Sequence, residues 1–552
     1  MKSYINKISL FLVALYSCYP SEQRQEVSQV FRYNESKGIT SLDPAYARNL
    51  SLIWPVNQLY NGLVQLSDSL TIEPCIAKSW KISDDGLCYT FYIRDDAFFH
   101  DNVVFPASRG RKVVAPDFVY TFNRLLDPRT ASPGAWVLSA LNKSFEGDSN
   151  GCSAPSDSVF VVHLANPFPA FLGLMSMPYC FVVPHEAVER YGNNFGRNPV
   201  GTGPFYMKFW KDGEKLVLRK NCRYFERDSA GVALPYLESV AVTFIADKQS
   251  EFLEFIGGNI DFLSGVHAAS KDELLTRTGE LNPKYRQRVK MITGPYLNTE
   301  YLGILLDTSK ITAKSSCLLD ERVRKAIGYG FDRNAMMLYL RGNMGYPANQ
   351  GFIPPGMPGF GDATEGFAYN PALARELLAK AGYPNGKGLP EITISTTDDY
   401  LDICEFIQHQ LGEIGMDVRI EVLPGAAYRE MMANSKLPVF RGSWVADYAD
   451  PENYLALFLS DNFSPKGPNY THFSNLEFNR LYGKALSEPV YQNRLPYYRA
   501  MDSMVVDKAV VIPLYYDKVV RFLSADVEGI GVNPMNLLVL KKGRKTNTAA
   551  GN

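Results

Sequence analysis

Ser83-Asp84-Asp85-Gly86-Leu87-Cys88-Tyr89-Thr90-Phe91, continuing through Tyr92-Ile93-Arg94-Asp95-Asp96-Ala97-Phe98-Phe99-His100-Asp101-Asn102, is the most informative stretch of the chain. Its polar opening ending in Gly86 reads as a turn, because glycine has a backbone freedom that other residues lack. From Tyr89 onward, aromatic and aliphatic side chains recur at every second position, the period of a strand with one buried face.

Outward from this stretch the chain keeps alternating between two periods. Strand patterns fall at Val159 to Leu164, Leu216 to Arg219, Val240 to Ile245, Tyr301 to Leu306, Ile392 to Ser395, Val418 to Val422 and Val510 to Tyr516. Helical patterns fall between them, at Asp117 to Leu126, Lys248 to Ile256, Asp320 to Gly328 and Leu401 to Leu411. The segment from Asn370-Pro371-Ala372 to Lys380-Ala381-Gly382 carries a capping Asn, a first-turn proline and a glycine stop. Strands alternating with helices predict an α/β protein.

The first eighteen residues read differently. Lys2 and Lys7 flank the start of an apolar run, Ile8 to Tyr16, that ends at Ser17-Cys18. A run this short does not span a bilayer, which takes roughly twenty residues, and the layout is that of a secretory signal peptide. Leu15-Tyr16-Ser17-Cys18 resembles a lipobox with an unusually bulky Tyr16, so residues 1–18 are expected to be a lipoprotein signal and Cys18 the lipid anchor. An ordinary secretory signal with an incidental cysteine is the other reading. Both place the protein outside the cytoplasm, in the periplasm or an equivalent extracytoplasmic space.

The 552 residues are 46% hydrophobic and 21% charged with a formal net charge of -1, a composition that suits a soluble protein of two or more domains. So balanced a charge argues against a nucleic-acid partner, which calls for a basic excess. Beyond Cys18, cysteines 75, 88, 152, 180, 222, 317 and 404 form no C-x-x-C pair. They predict neither a zinc site nor a disulfide framework. Cys75 and Cys88 are close enough in sequence to pair in an oxidising compartment; buried free thiols are the plainer reading.

Enzyme motifs fare poorly. Gly147-Asp148-Ser149-Asn150-Gly151 fits G-x-S-x-G, but its flanks read as a polar turn rather than the strand and helix of a nucleophile elbow. His185-Glu186-Ala187-Val188-Glu189 lacks the second histidine of a zinc-binding helix, and Gly382 to Gly388 lacks the spacing and hydroxyl of a P-loop. No catalytic residue, metal ligand or cofactor site emerges, and the chain is read as a non-enzyme.

What does emerge is an ordered set of segments resembling the bacterial extracellular solute-binding proteins of family 5, the oligopeptide- and dipeptide-binding proteins of ABC importers. Besides the opening stretch they are Ser41-Leu42-Asp43-Pro44, Leu59 to Val64, Ile76-Ala77-Lys78-Ser79-Trp80, Val114 to Tyr120 with Asn123 to Pro128, and Pro199 to Phe205. Gly257 to Phe262, Arg322 to Ile327 with Phe331-Asp332-Arg333, and Ala446 to Pro451 complete them. Asn102 stands where the family has glycine; asparagine also adopts left-handed backbone, so the turn is expected to persist.

The resemblance implies a two-lobed periplasmic-binding-protein fold of the class II type, closing like a hinge on its ligand. A first lobe is expected from residues 26–72, 197–290 and 507–545, an extra domain inserted in it from 73–196, and a second lobe from 291–506. It also implies that Asp447 meets a peptide α-ammonium, whose desolvation needs a carboxylate partner. Arg441 would meet the peptide carboxylate or another acceptor, since a planar guanidinium suits bidentate binding. Asp447 could instead cap a turn, although Asp450 is better placed to do so, and Arg441 could sit in a structural ion pair. Trp444, Tyr448, Trp136, Trp54 and Tyr516, or its neighbour Tyr515, are the candidate pocket linings. The expected partners are a short peptide and the permease subunits of the importer, bound by a monomer anchored at Cys18. A sugar, opine or nickel-chelate binder of the same family, a serine hydrolase acting through Ser149, and a receptor without an importer are the alternatives.

Overall fold

The computed structural model describes residues 29–145, 149–313, 315–357 and 365–546. The signal and Cys18 lie outside the described residues.

The opening stretch folds as read. Gly86 adopts a φ of 70°, and Asp85 accepts from the Leu87 amide. Strands Ala77–Ile82 and Cys88–Ile93 pair across this turn. Tyr89, Phe91 and Ile93 are buried while Cys88, Thr90 and Tyr92 are less so. With Val159–His163 and Cys152–Ser156 these strands form a four-stranded antiparallel sheet. Asn102 departs from expectation. Its φ is not positive; its side-chain oxygen holds the turn by accepting from the Val104 amide and the Tyr191 hydroxyl.

A second sheet has eleven strands, β1 to β11 in chain order: Val30–Asn34, Phe205–Lys211, Lys215–Lys220, Ser239–Thr243, Phe262–Ser264, Val289–Ile304, Gly345–Pro347, Ile392–Thr396, Val418–Val422, Val439–Val445 and Val511–Ser524. Their spatial order is β9-β8-β10-β6-β11-β5-β1-β4-β3-β2, with β7 on β11. The sheet serves both lobes because β6 and β11 are long, 16 and 14 residues. Their register runs from Val289–Ser524 at one end to Gly303–Val511 at the other. It breaks between Pro295 and Thr299, where proline lacks an amide for the ladder. There, Tyr296, Leu297 and Asn298 stand against the single residue Asp517.

Among the described residues four cores underlie the two lobes, the smallest gathering Phe252, Phe255, Leu274 and Phe522 beside β5. One runs without interruption beneath β1, β4 and the small sheet, through Phe31, Val240, Phe91 and Phe160. The second lobe has one on each face of its strands. Leu302, Ile394, Val439 and Ile512 pack against the helices Glu321–Tyr329 and Leu401–Glu413. On the other face, Tyr301 and Phe440 pack with Phe352 and Tyr454. Buried side chains also cross between the lobes. Leu70 packs into the core around Tyr301, and Tyr448 packs into the core of the first lobe.

All seven described cysteines are free thiols, so Cys75 and Cys88 do not pair. Burial pushes the Cys75 thiol up to about 12, which leaves it unreactive. Among the described residues, no helix is long and apolar enough to cross a membrane.

Candidate functional site

β10 and the segment after it form the centre of the candidate site. Gly442 lies under the Tyr301 ring, which leaves no room there for a side chain. The alternate residues Arg441, Ser443 and Val445 take the opposite face, and Ser443, Val445 and Asp447 are exposed. This is the carboxyl end of the parallel strands β8 and β10, the edge at which open α/β sheets bind ligands.

A polar row crosses three strands on that face. The Ser443 hydroxyl donates to the Asn298 side-chain oxygen at 3.0 Å. The Asn298 amide donates to Glu300 at 3.2 Å and to Asp517 on β11. Arg441 donates to Glu300 at 2.7 Å, with side-chain exposures of 10% and 2%, and its guanidinium lies 3.5 Å from the centre of the Tyr400 ring. Arg441 is therefore held by a structural ion pair. Burial and the nearby Glu300 carboxylate push the Asp517 carboxyl up to about 6, against the pull of Asn298 and Arg341.

Asp447 is positioned by Asn453. One side-chain oxygen of Asn453 accepts from the Asp447 amide at 3.3 Å and from the Trp444 indole at 3.0 Å. The Asp447 carboxyl is open to solvent but walled by protein, and desolvation raises its pKa. Tyr179 lies within reach of its charge: burial and the Asp447 carboxylate raise the pKa of the Tyr179 hydroxyl, and Arg48 lowers it. Asp447 thus faces a cleft whose opposite wall belongs to the first lobe and small sheet. Beneath the segment, Asp450 caps the turn by accepting from the Glu452 amide at 3.0 Å and pairs with Arg494 at 3.2 Å. Glu452 accepts from the hydroxyls of Tyr448 and Tyr482, and burial raises the pKa of both carboxyls.

The aromatic candidates separate. Trp136 is 42% exposed on the turn Ala135–Leu138; the preceding Gly134 is packed against the Tyr179 ring, so the turn borders the cleft. Trp444 is half-buried beside Asp447. Trp54 is a correction. It is a core residue of the first lobe, packed on Tyr33 and Phe262, with its indole donating to the Asn536 carbonyl. Tyr516 is another. Its side chain is buried with the hydroxyl on the Gly351 carbonyl, while Tyr515 takes the face of Glu300 and Asp517. Tyr448 is also buried, edge-on to Phe168 at 6.4 Å, and joins the lobes instead of lining the cleft. Asn298, Glu300, Asp517, Tyr179 and Arg48 are not legible in the sequence because their partners lie far off in the chain, Arg441 and Glu300 being 141 residues apart; Asn453 is six residues from Asp447, but no local pattern marks it.

The two serine arrangements among the described residues are both structural in setting. Ser149 lies in an exposed turn before a strand, with its hydroxyl accepting from Asn123; Gly147 lies outside the described residues. Asp307, His472 and Ser435 do form a chain at 2.9 and 2.8 Å. Ser435 and the nearby Ser464, which shares the imidazole, are only 5% and 4% exposed, so the chain is a buried clamp. Among the described residues no group of three or more His, Cys, Asp or Glu could hold a metal ion.

The sequence signature described as bacterial extracellular solute-binding proteins, family 5 Middle, matches residues 71–466. The chain belongs to this family. Among its family 5 relatives, the dipeptide-binding protein DppE of Bacillus subtilis (strain 168) is 26% identical over 537 residues, covering 93% of this chain and 91% of DppE. The fold of this family 5 protein matches the unliganded open form of the periplasmic murein tripeptide binding protein MppA with a TM-score of 0.80 at 26% identity, covering 94% and 98% of the two chains. It matches DppA from Helicobacter pylori in complex with the peptide STSA with a TM-score of 0.70 at 25% identity, covering 94% and 97%. The two-lobed architecture is that of periplasmic binding proteins.

Proposed function

We propose that this family 5 protein is the extracytoplasmic capture component of an ABC importer and encloses a short peptide between its lobes. The observation that carries the reading is Asp447, a carboxylate presented to the cleft and held by Asn453. An α-ammonium enclosed on closure needs such an acceptor, and charge-assisted hydrogen bonds of this kind are the strong ones. The exposed edge of Ser443 and Val445 beside it offers backbone groups to an extended ligand, the β-addition mode of peptide recognition. The names of the relatives, which include dipeptide- and oligopeptide-binding proteins, support the same ligand class.

In this reading residues 26–72, 197–290 and 507–545 make the first lobe, 73–196 the extra domain and 291–506 the second lobe, with the long strands β6 and β11 running through both so that Ile512 packs in the second lobe's core. Closure brings Trp136 and Tyr179 toward Trp444 and Asp447, and the monomer, anchored through lipidated Cys18, delivers the ligand to permease subunits. Mass spectrometry of the ligand that co-purifies, followed by calorimetry with that peptide, tests the proposal. Binding of a peptide that Asp447→Asn weakens supports it. A sugar, an opine or a nickel chelate in the cleft, with no heat from peptides, overturns it.

A further inference from the structure

The charges on the cleft face of β10, β6 and β11 do not balance. Arg441 is committed to Glu300. Arg341, the next cation, is committed to Asp402 at 2.6 Å. Lys518 turns away, its ammonium donating to the Asn343 carbonyl and lying over the Tyr346 ring. Asp517 is left with an amide donor, Asn298, a carboxylate neighbour, Glu300, and only the more distant pull of Arg341, whose guanidinium is held on Asp402. The row Ser443–Asn298–Asp517 places it on the same face as the exposed Ser443 and Val445.

We infer that Asp517 receives a second cationic group of the ligand, so that the protein selects peptides carrying a basic side chain near the amino terminus. This rests on the peptide reading, with the α-ammonium at Asp447. The register sets the spacing. Asp447 lies two residues beyond Val445, which pairs with Asn298, and β11 lies two strands from β10. At strand rises and spacings this separates the carboxylates by roughly 12 Å, the reach of a lysine at the second position of an extended peptide. With Glu300 neutralised by Arg441, the ammonium meets one uncompensated carboxylate. The other groups facing Asp517 are the phenols of Tyr296, Tyr400 and Tyr515, which carry no charge near neutral pH. Burial raises the Asp517 pKa, so selectivity is expected at pH 8 and to fade by pH 5, where the carboxyl is protonated.

The test is calorimetry with Ala-Lys-Ala and with Ala-Nle-Ala, in which norleucine keeps the chain length and removes the ammonium. The wild-type protein is expected to prefer the lysine peptide at pH 8 by about ten-fold or more, a difference of about 1.4 kcal/mol. Asp517→Asn is expected to erase the preference, with a thermal midpoint at pH 8 no lower than that of the wild type; Asp517→Glu, which keeps the charge, retains the preference. Equal or tighter binding of Ala-Nle-Ala by the wild type, or a lysine preference that survives Asp517→Asn, overturns the inference and leaves the peptide reading standing. No binding of either peptide, nor of the co-purified one, removes both.

Discussion

Arg441→Ala separates a structural role from a ligand-reading one. The guanidinium and the Glu300 carboxylate are nearly enclosed, and the pair stacks on Tyr400. Truncation leaves Glu300 buried with Asp517 beside it and no cation on the row. Breaking such a pair from one side costs about 3–5 kcal/mol, and the lost contact with the Tyr400 ring adds about 0.5–2 kcal/mol. Relaxation and water entry at the Asn298 bulge offset part of this, so about 3–4 kcal/mol is expected, a large share of a typical stability of about 5–15 kcal/mol. The penalty shrinks at low pH. Two neighbouring carboxylates without a cation share a proton readily, so urea unfolding at pH 8 should show the full loss and at pH 5 a reduced one. Arg441→Met with Glu300→Leu, which removes both charges, should recover most of it. An Arg441→Ala protein that unfolds at the wild-type urea concentration while losing peptide affinity more than about 100-fold would refute the structural assignment, since that is about 2.7 kcal/mol of binding alone.

Asp447→Asn is expected to weaken peptide binding by about 2–4 kcal/mol, because an enclosed ammonium keeps a dipole but loses its counter-charge; calorimetry at fixed salt measures it. Asn453→Leu frees the Trp444 indole and the Asp447 amide together, so tryptophan emission should shift to the red and affinity should fall with little change in the thermal midpoint. Trp54→Ala should cost about 3–5 kcal/mol of stability as a core truncation while leaving the affinity of the folded fraction intact, as urea titration and calorimetry would show. Asp517→Asn should stabilise the ligand-free protein at pH 8 and not at pH 5. The folded state raises this carboxyl to about 6, so it binds the proton more tightly than the unfolded chain, and stability falls as pH rises through that value; thermal melts at the two pH values check the sign.

The legible parts of the sequence were those with local causes. Gly86 and the alternation from Tyr89 to Ile93 specify their own hairpin, and Asn370 and Pro371 cap their own helix, with Asn370 accepting from the Leu373 amide. The extent of β6 and β11 was hidden. Their apolar patterns stand out only from Tyr301 and Val510, whereas Gly294 and Pro295 sit within β6 and look like an ending. The polar row was hidden for a related reason. Asn298, Glu300, Ser443 and Asp517 meet through sheet register, and nothing near any one of them in the chain announces the others. Trp54 and Tyr516 show the limit from the other side. An aromatic residue near a family motif is as well suited to a core as to a pocket, and only its neighbours decide.

The crossed anchors, Leu70 in the second lobe and Tyr448 in the first, have a mechanical consequence. Two adjacent strands by themselves form a ribbon that can both bend and twist. Interlocking plugs on either side of that ribbon oppose the twist, because it would lift one plug from its socket as it seated the other. For the closure proposed above, this leaves a single swinging coordinate, like a gate carried on two pintles, and the rim bearing Asp447 would return to the same latch position on every stroke.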